Sequence, residues 1–230
     1  MRSTFRRALA ALALTALAAC SGGTANKADD RNPFLAAAQG QLGALLGRGA
    51  DEARQDARQA LTPAAIAASP VPFLLMVVER NDTGVAFAPV ASNRDTIQWG
   101  DPAGAGLLRR SGVLVGTRGF GFDLHTADIT PLLRALAAGG GSGVERINRY
   151  IDGENQVVAV QYLCSVREIG DEAIALIDGR YSATVYEERC TGDGPAFTNR
   201  YWIDRGGLIR RTRELVHPET GFVTLDLLGQ

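Results

Sequence analysis

From Val71 onward the chain is cut at short intervals by turn-forming clusters, and this spacing constrains the fold more than any other feature. The clusters are Arg80-Asn81-Asp82-Thr83-Gly84, Ser111-Gly112, Asp152-Gly153-Glu154-Asn155, Asp204-Arg205-Gly206-Gly207 and Pro218-Glu219-Thr220-Gly221. The segments between them are strand-length and carry Val, Ile, Leu, Tyr, Phe and Thr with a period near two. Parallel strands need a crossover of a dozen or more residues, and connections this short leave no room for one. The expected class is therefore mainly β: an antiparallel sheet that curls or closes into a barrel or sandwich. Strands are expected over 73–78, 85–90, 96–100, 106–110, 113–118, 144–151, 157–166, 169–178, 181–190, 197–203, 208–216 and 222–228. One helix is expected inside this region, over 126–138, with Leu132, Leu133 and Leu136 on one face and Gly139-Gly140-Gly141 ending it.

The residues before this region read differently. Arg2, Arg6 and Arg7 precede an apolar run over 8–19 that is too short to span a bilayer, which is the pattern of a secretory signal. Leu17-Ala18-Ala19-Cys20 resembles a bacterial lipobox, which implies cleavage before Cys20 and its lipidation. Ser21, where an Asp would suggest retention in the inner membrane, points by the same resemblance to the outer membrane. The expected organisation is a lipoprotein signal peptide over 1–19, a small, polar tether over 20–32, a helical segment over 33–68 and an antiparallel β domain over 70–230. The helical segment reads as an alanine-rich hairpin, 33–46 and 51–67, with Asp51 as N-cap of the second arm.

Charge excludes one class of partner. With 24 Lys plus Arg against 25 Asp plus Glu, losing the three signal arginines leaves 21 against 25, a net −4. That balance lacks the basic footprint of a nucleic-acid binder. With Cys20 lipidated, Cys164 and Cys190 remain, and an oxidising compartment favours a disulfide over two buried thiols.

Two stretches echo each other. Gly112-Val113-Leu114-Val115-Gly116-Thr117-Arg118 and Gly207-Leu208-Ile209-Arg210-Arg211-Thr212-Arg213 share one formula, and each follows one of the two tryptophans, Trp99 and Trp202. Alternation assigns Trp99 to the core with Ile97 on its face, and sets Thr198, Arg200 and Trp202 opposite Phe197, Tyr201 and Ile203. Trp202 beside Arg200 is thus a candidate for stacking on a saccharide or a partner; a tryptophan covering the second face of the sheet is the alternative. Arg118 and Arg213 are candidates for bidentate contact with acidic sugars, against the alternative of solvated strand arginines. Arg109, Arg110, Arg210 and Arg211 would extend them into a basic stripe.

The Trp99 region, the hairpin with Gly119 after it, Tyr201-Trp202-Ile203-Asp204 and 213–218 together resemble the YjbF-type group 4 capsule polysaccharide lipoproteins. The resemblance runs from Val71 to near the end and includes the lipobox. It implies a periplasmic, lipid-anchored, largely antiparallel β protein with an accessory role in exopolysaccharide or capsule secretion, contacting the polymer or its outer-membrane export proteins. It carries over no catalytic residue and no cofactor.

Catalytic patterns fail on inspection. Gly140-Gly141-Ser142-Gly143-Val144 has Val where a nucleophile elbow needs Gly. His125 and His217, the only histidines, lack metal-ligand spacing, so no metal site is expected. Glu187 and Glu188 are neighbours on a strand and point to opposite faces, while Asp123 and Asp204 sit where carboxylates serve turns. The expected function is non-catalytic. A lipid or lipoprotein carrier with a half-open barrel is the alternative, and a polysaccharide-modifying enzyme using Asp123 or Asp204 comes third.

Overall fold

The computed structural model describes residues 56–229; the expected signal peptide, Cys20, the expected tether, the helix expected over 33–46 and the start of the one expected over 51–67, with Asp51 as its N-cap, lie outside them. Twelve antiparallel strands form one sheet: β1 (Phe73–Val78), β2 (Thr83–Asn93), β3 (Thr96–Gly100), β4 (Gly106–Arg110), β5 (Val113–Arg118), β6 (Leu124–Asp128), β7 (Gly140–Ile151), β8 (Val157–Leu176), β9 (Gly179–Gly192), β10 (Phe197–Asp204), β11 (Ile209–His217) and β12 (Gly221–Leu228). Their order is β5-β4-β3-β2-β1-β12-β11-β10-β9-β8-β7-β6. The two ends of this order are consecutive in the chain, and a Cβ on Gly116 of β5 would lie only 3.4 Å from the carbonyl of His125 on β6. The sheet is a nearly closed barrel.

Short turns hold the meander. Between β4 and β5, Ser111 (φ 48°) and Gly112 (φ 85°) both take positive φ, as a two-residue type I′ hairpin requires. That turn reaches across the barrel, because a Cβ on Gly112 would lie 2.9 Å from Cβ of Ile209 on β11. The Leu114 amide likewise donates to Glu214 Oε1 at 3.1 Å.

The interior is packed with side chains. Phe87, Trp99, Leu107, Leu114, Tyr201 and Leu225 belong to one buried cluster, and each large apolar group sealed there contributes about 1.5–3 kcal/mol. Helix α3 (Thr130–Ala137), inserted between β6 and β7, adds Leu132, Ala135 and Leu136. On the other face of the sheet, α1 (Ala57–Ala60) and α2 (Pro63–Ala67) lay Ala57, Leu61 and Ile66 over Phe73, Leu75 and Ala86. This explains the unbroken apolar run at 73–78: Leu74 and Met76 face the interior while Phe73 and Leu75 lie under the helices.

Three elements differ from expectation in kind, while β7 begins at Gly140 rather than Val144 and β2 runs on to Asn93. The helix expected over 126–138 begins at Thr130, and Leu124–Asp128 is instead strand β6. Pro131 fits the first helical turn, and the Asp128 side chain accepts from the Thr130 amide at 3.1 Å. The segments 157–166 and 169–178 form one long strand, β8, kinked by a register shift between Glu168 and Gly170. The helix expected over 51–67 is, in its described part, two short helices, the second capped by the Thr62 hydroxyl and started by Pro63.

Candidate functional site

The hairpin formula around Trp99 builds an open groove of about 690 Å³ on the outer face of β3–β6. Its floor follows from register: Gly100 pairs with Gly106, Gly106 with Arg118, Gln98 with Leu108, and Leu108 with Gly116. Alternation puts all six on the face opposite Trp99 and Leu107, which lie in the core. Three neighbouring positions thus lack side chains, Gly100 and Gly106 directly paired and Gly116 diagonal to Gly106 against Leu108, so much of the floor is backbone. A Cβ on Gly116 would sit 3.4 Å from Leu108 Cδ1, and one on Gly100 would sit 2.8 Å from Val90 Cγ2, so larger residues would fill the depression.

The rim is polar. Gln98, Arg118 and His125 are exposed, and Arg118 makes no ion pair among the described residues. The opposite rim is shaped by Asp101, whose Oδ1 accepts from the Ala105 amide at 2.6 Å. Beneath the floor, Trp99 is 2% exposed, in the core as alternation predicts, and its Nε1 is buried without an acceptor.

The other named residues lie elsewhere. Arg200 and Arg213 face each other across β10 and β11, five and six strands from Arg118 when counted across the seam. Arg200 donates to Glu187 Oε2 from Nε at 3.2 Å and Nη2 at 3.1 Å, and Arg213 holds Glu79 with two bonds of 2.8 Å. Trp202 shares the outer face with Arg200 but is 8% exposed, packed with Ile174, Ala183 and Val185, and its Nε1 donates to Glu172 at 2.8 Å. It covers the second face of the sheet, and its ring is not free to stack on a ligand. The four candidates do not converge on one groove.

The expected stripe of Arg109, Arg110, Arg210 and Arg211 does not form. Alternation along β4, with Leu107 inward and Leu108 outward, places Arg109 in the interior, where it donates to the Gly112 carbonyl and burial lowers its pKa to about 10. Arg110 pairs with Asp95, Arg210 with Asp204 and Arg211 with Asp226. A different set surrounds Glu187: Arg167, Arg189 and Arg200 all donate to its carboxylate. Burial pushes the Glu187 carboxyl up, but the three guanidinium groups outweigh it and hold it below the usual range.

The turn carboxylates, Glu188 and His217 are committed. Asp123 accepts from the Thr117 hydroxyl at 2.7 Å and the Gly119 amide at 2.9 Å. Asp204 accepts from the amides of Gly206 and Leu208 at 2.8 and 3.0 Å. Glu188, facing inward, is fully buried and takes bonds from Arg146 at 3.0 Å, Asn199 at 2.9 Å and Tyr201 at 2.7 Å. His217 lies between Phe122 and Tyr150, and burial lowers its pKa.

Cys164 and Cys190, directly paired across β8 and β9, form a buried disulfide. Glu188 lies beside both sulfurs, but sulfurs bonded to each other are not thiolate ligands, so this trio does not make a metal site. Sequence reading passed over the inward polar network, although Arg146-Ile147-Asn148-Arg149-Tyr150 alternates strictly and puts polar groups on the core face.

Comparison with known proteins accords with this fold. The crystal structure of the hypothetical lipoprotein YmcC from Escherichia coli (K12) superposes with a TM-score of 0.63 at 18% identity, over 73% of this chain and 88% of that one. No curated protein matches the chain. The family model for the group 4 capsule polysaccharide lipoproteins gfcB and YjbF matches residues 31–228, and by that match the chain belongs to this family.

Proposed function

We propose that this chain is a lipid-anchored, non-catalytic accessory protein of capsule or exopolysaccharide secretion. In this reading Cys20 holds it at the outer membrane, facing the periplasm, where it contacts the polymer or its export proteins. The groove over Gly100, Gly106 and Gly116 carries the reading. A floor made in large part of backbone beside Leu108 suits the C–H face of a sugar ring, and Arg118 and Gln98 at the rim are donors for its oxygens. The groove offers no pair of free carboxylates to break a glycosidic bond, since Asp101 is engaged by the Ala105 amide. An acyl-chain carrier needs an apolar cavity, whereas this interior is occupied by side chains and a buried Arg146–Glu188 pair.

Deleting the gene is expected to lower surface polysaccharide, and the full-length chain is expected to co-purify with outer-membrane export proteins. A chain carrying Asp123→Asn and Asp204→Asn is expected to restore the polysaccharide. Unchanged surface polysaccharide in the deletion strain would overturn the accessory role. Turnover of purified polymer, lost in those two variants, would overturn the non-catalytic one.

A further inference from the structure

Resting on that reading, we propose that the outer face of β8–β11 is a docking surface for an acidic polysaccharide, whose carboxylates are received by Arg167, Arg189, Arg200 and Arg213. The register sets these groups in a rank. Arg167 pairs with Glu187, Glu187 with Arg200, and Arg200 with Arg213, so four adjacent strands each place one charged residue on the same line. At about 4.8 Å between strands the rank spans roughly 14 Å, enough for more than one sugar unit. Arg189 stands one step along, paired with Ser165 and Thr198.

Glu187 organises this rank. Its side chain is only 3% exposed, while those of Arg167, Arg189 and Arg200 are 56%, 57% and 44% exposed. The carboxylate takes one bond from Arg167 at 3.0 Å, one from Arg189 at 2.6 Å and two from Arg200 at 3.2 and 3.1 Å. Three guanidinium groups carry fifteen N–H donors, so these four bonds leave most of them for a ligand. Three positive charges against one negative leave a local net of +2 on a chain whose total is −1.

Each guanidinium is already fixed by Glu187, so a polymer carboxylate meets donors that need little further ordering. Arg213 extends the rank as a rigid pair with Glu79, its guanidinium 3.9 Å from the Phe222 ring centre. An anionic membrane is a poorer match. The β7–β8 hairpin of the same sheet exposes Ile151 and Val157 at its tip, but Asp152 and Glu154 lie between them and would be repelled by anionic headgroups.

The test uses the full-length chain purified in detergent, with polygalacturonate as the acidic polymer, dextran as the neutral one, and phosphatidylglycerol vesicles. Polygalacturonate is expected to bind at low salt and to release as screening rises, and dextran is expected not to bind to this face. The exposed double variant Arg167→Gln/Arg189→Gln is expected to fold normally and bind about tenfold more weakly. Arg134→Gln, at an exposed position of α3, is expected to change nothing. Equal polygalacturonate binding by the double variant, salt-independent binding, or binding to vesicles alone would overturn the proposal. A deletion strain separates this from the accessory role. Polysaccharide lost on deletion but fully restored by a double variant that binds as tightly as the parent ends the docking proposal alone. Polysaccharide unchanged on deletion ends the accessory role.

Discussion

Glu188 and Glu214 occupy the same interior but carry opposite costs. Glu188 is matched by Arg146, and burial alone would lower the arginine's pKa; Glu188 and its neighbours reverse that and raise it. Replacing Glu188 by Gln keeps the volume and strands the Arg146 charge, which is expected to cost about 3–5 kcal/mol in urea unfolding at pH 7. The double variant Arg146→Met/Glu188→Leu is expected to lose less than Glu188→Gln; a larger loss would sink this account of the pair. Glu214 is different, because burial raises its pKa from 4.5 to about 7 and Arg146, Arg109 and the Leu114 amide offset that only in part. Between those two values the folded chain binds more protons than the unfolded one. Stability therefore falls as pH rises through this window, by at most roughly 3 kcal/mol. His217, lowered by burial, adds a slope of opposite sign below pH 6.5. The difference between the parent and Glu214→Gln isolates the glutamate. Unfolding midpoints that track each other from pH 4.5 to 8 would exclude this role.

Among the elements, β8 and β9 form a long hairpin whose ends are far from its turn, and the disulfide ties it near the middle of β8. The cysteines are 26 residues apart, so the crosslink removes unfolded-state entropy worth about 3.5 kcal/mol in the chain-entropy model. Cys164→Ala/Cys190→Ala is expected to lower stability by roughly that much in guanidinium unfolding, and the parent under reductant by a similar amount; a change under about 1 kcal/mol would contradict it. These elements were legible because alternation and turn chemistry agree along most of the chain. Where they disagreed, the reading slipped. Leu124 and Ala127 are buried three residues apart, because an irregularity between Leu124 and Thr126 breaks the period of two, and that spacing reads as part of the helix after it. The shift at Glu168 and Gly170 looks like a turn in sequence and is a bulge inside one strand.

For the whole molecule, the groove was hard to see in advance because its floor is three glycines, Gly100, Gly106 and Gly116, brought together by pairing rather than by any run of residues. The arginine rank was equally hidden, since Arg167, Arg189 and Arg200 meet only through register around Glu187. Register also leaves the barrel one weak line, between β5 and β6, where side chains supply bonds in place of a ladder. The Thr117 hydroxyl accepts from the Leu124 amide at 2.9 Å and donates to Asp123, which in turn holds the Gly119 amide. Thr117→Val keeps the shape and removes both bonds, leaving the Leu124 amide unpaired at an expected cost of about 1–3 kcal/mol. The loss should be local. Hydrogen exchange is expected to speed up across Leu124–Asp128 while amides of β10, central in the strand order, keep their protection. Arg118 and His125 each follow a residue of this seam, so the same variant is expected to loosen one wall of the groove and weaken any ligand held there. Equal acceleration in β6 and β10 would mean that the seam opens only with global unfolding, and the groove would then be as rigid as the core beneath it.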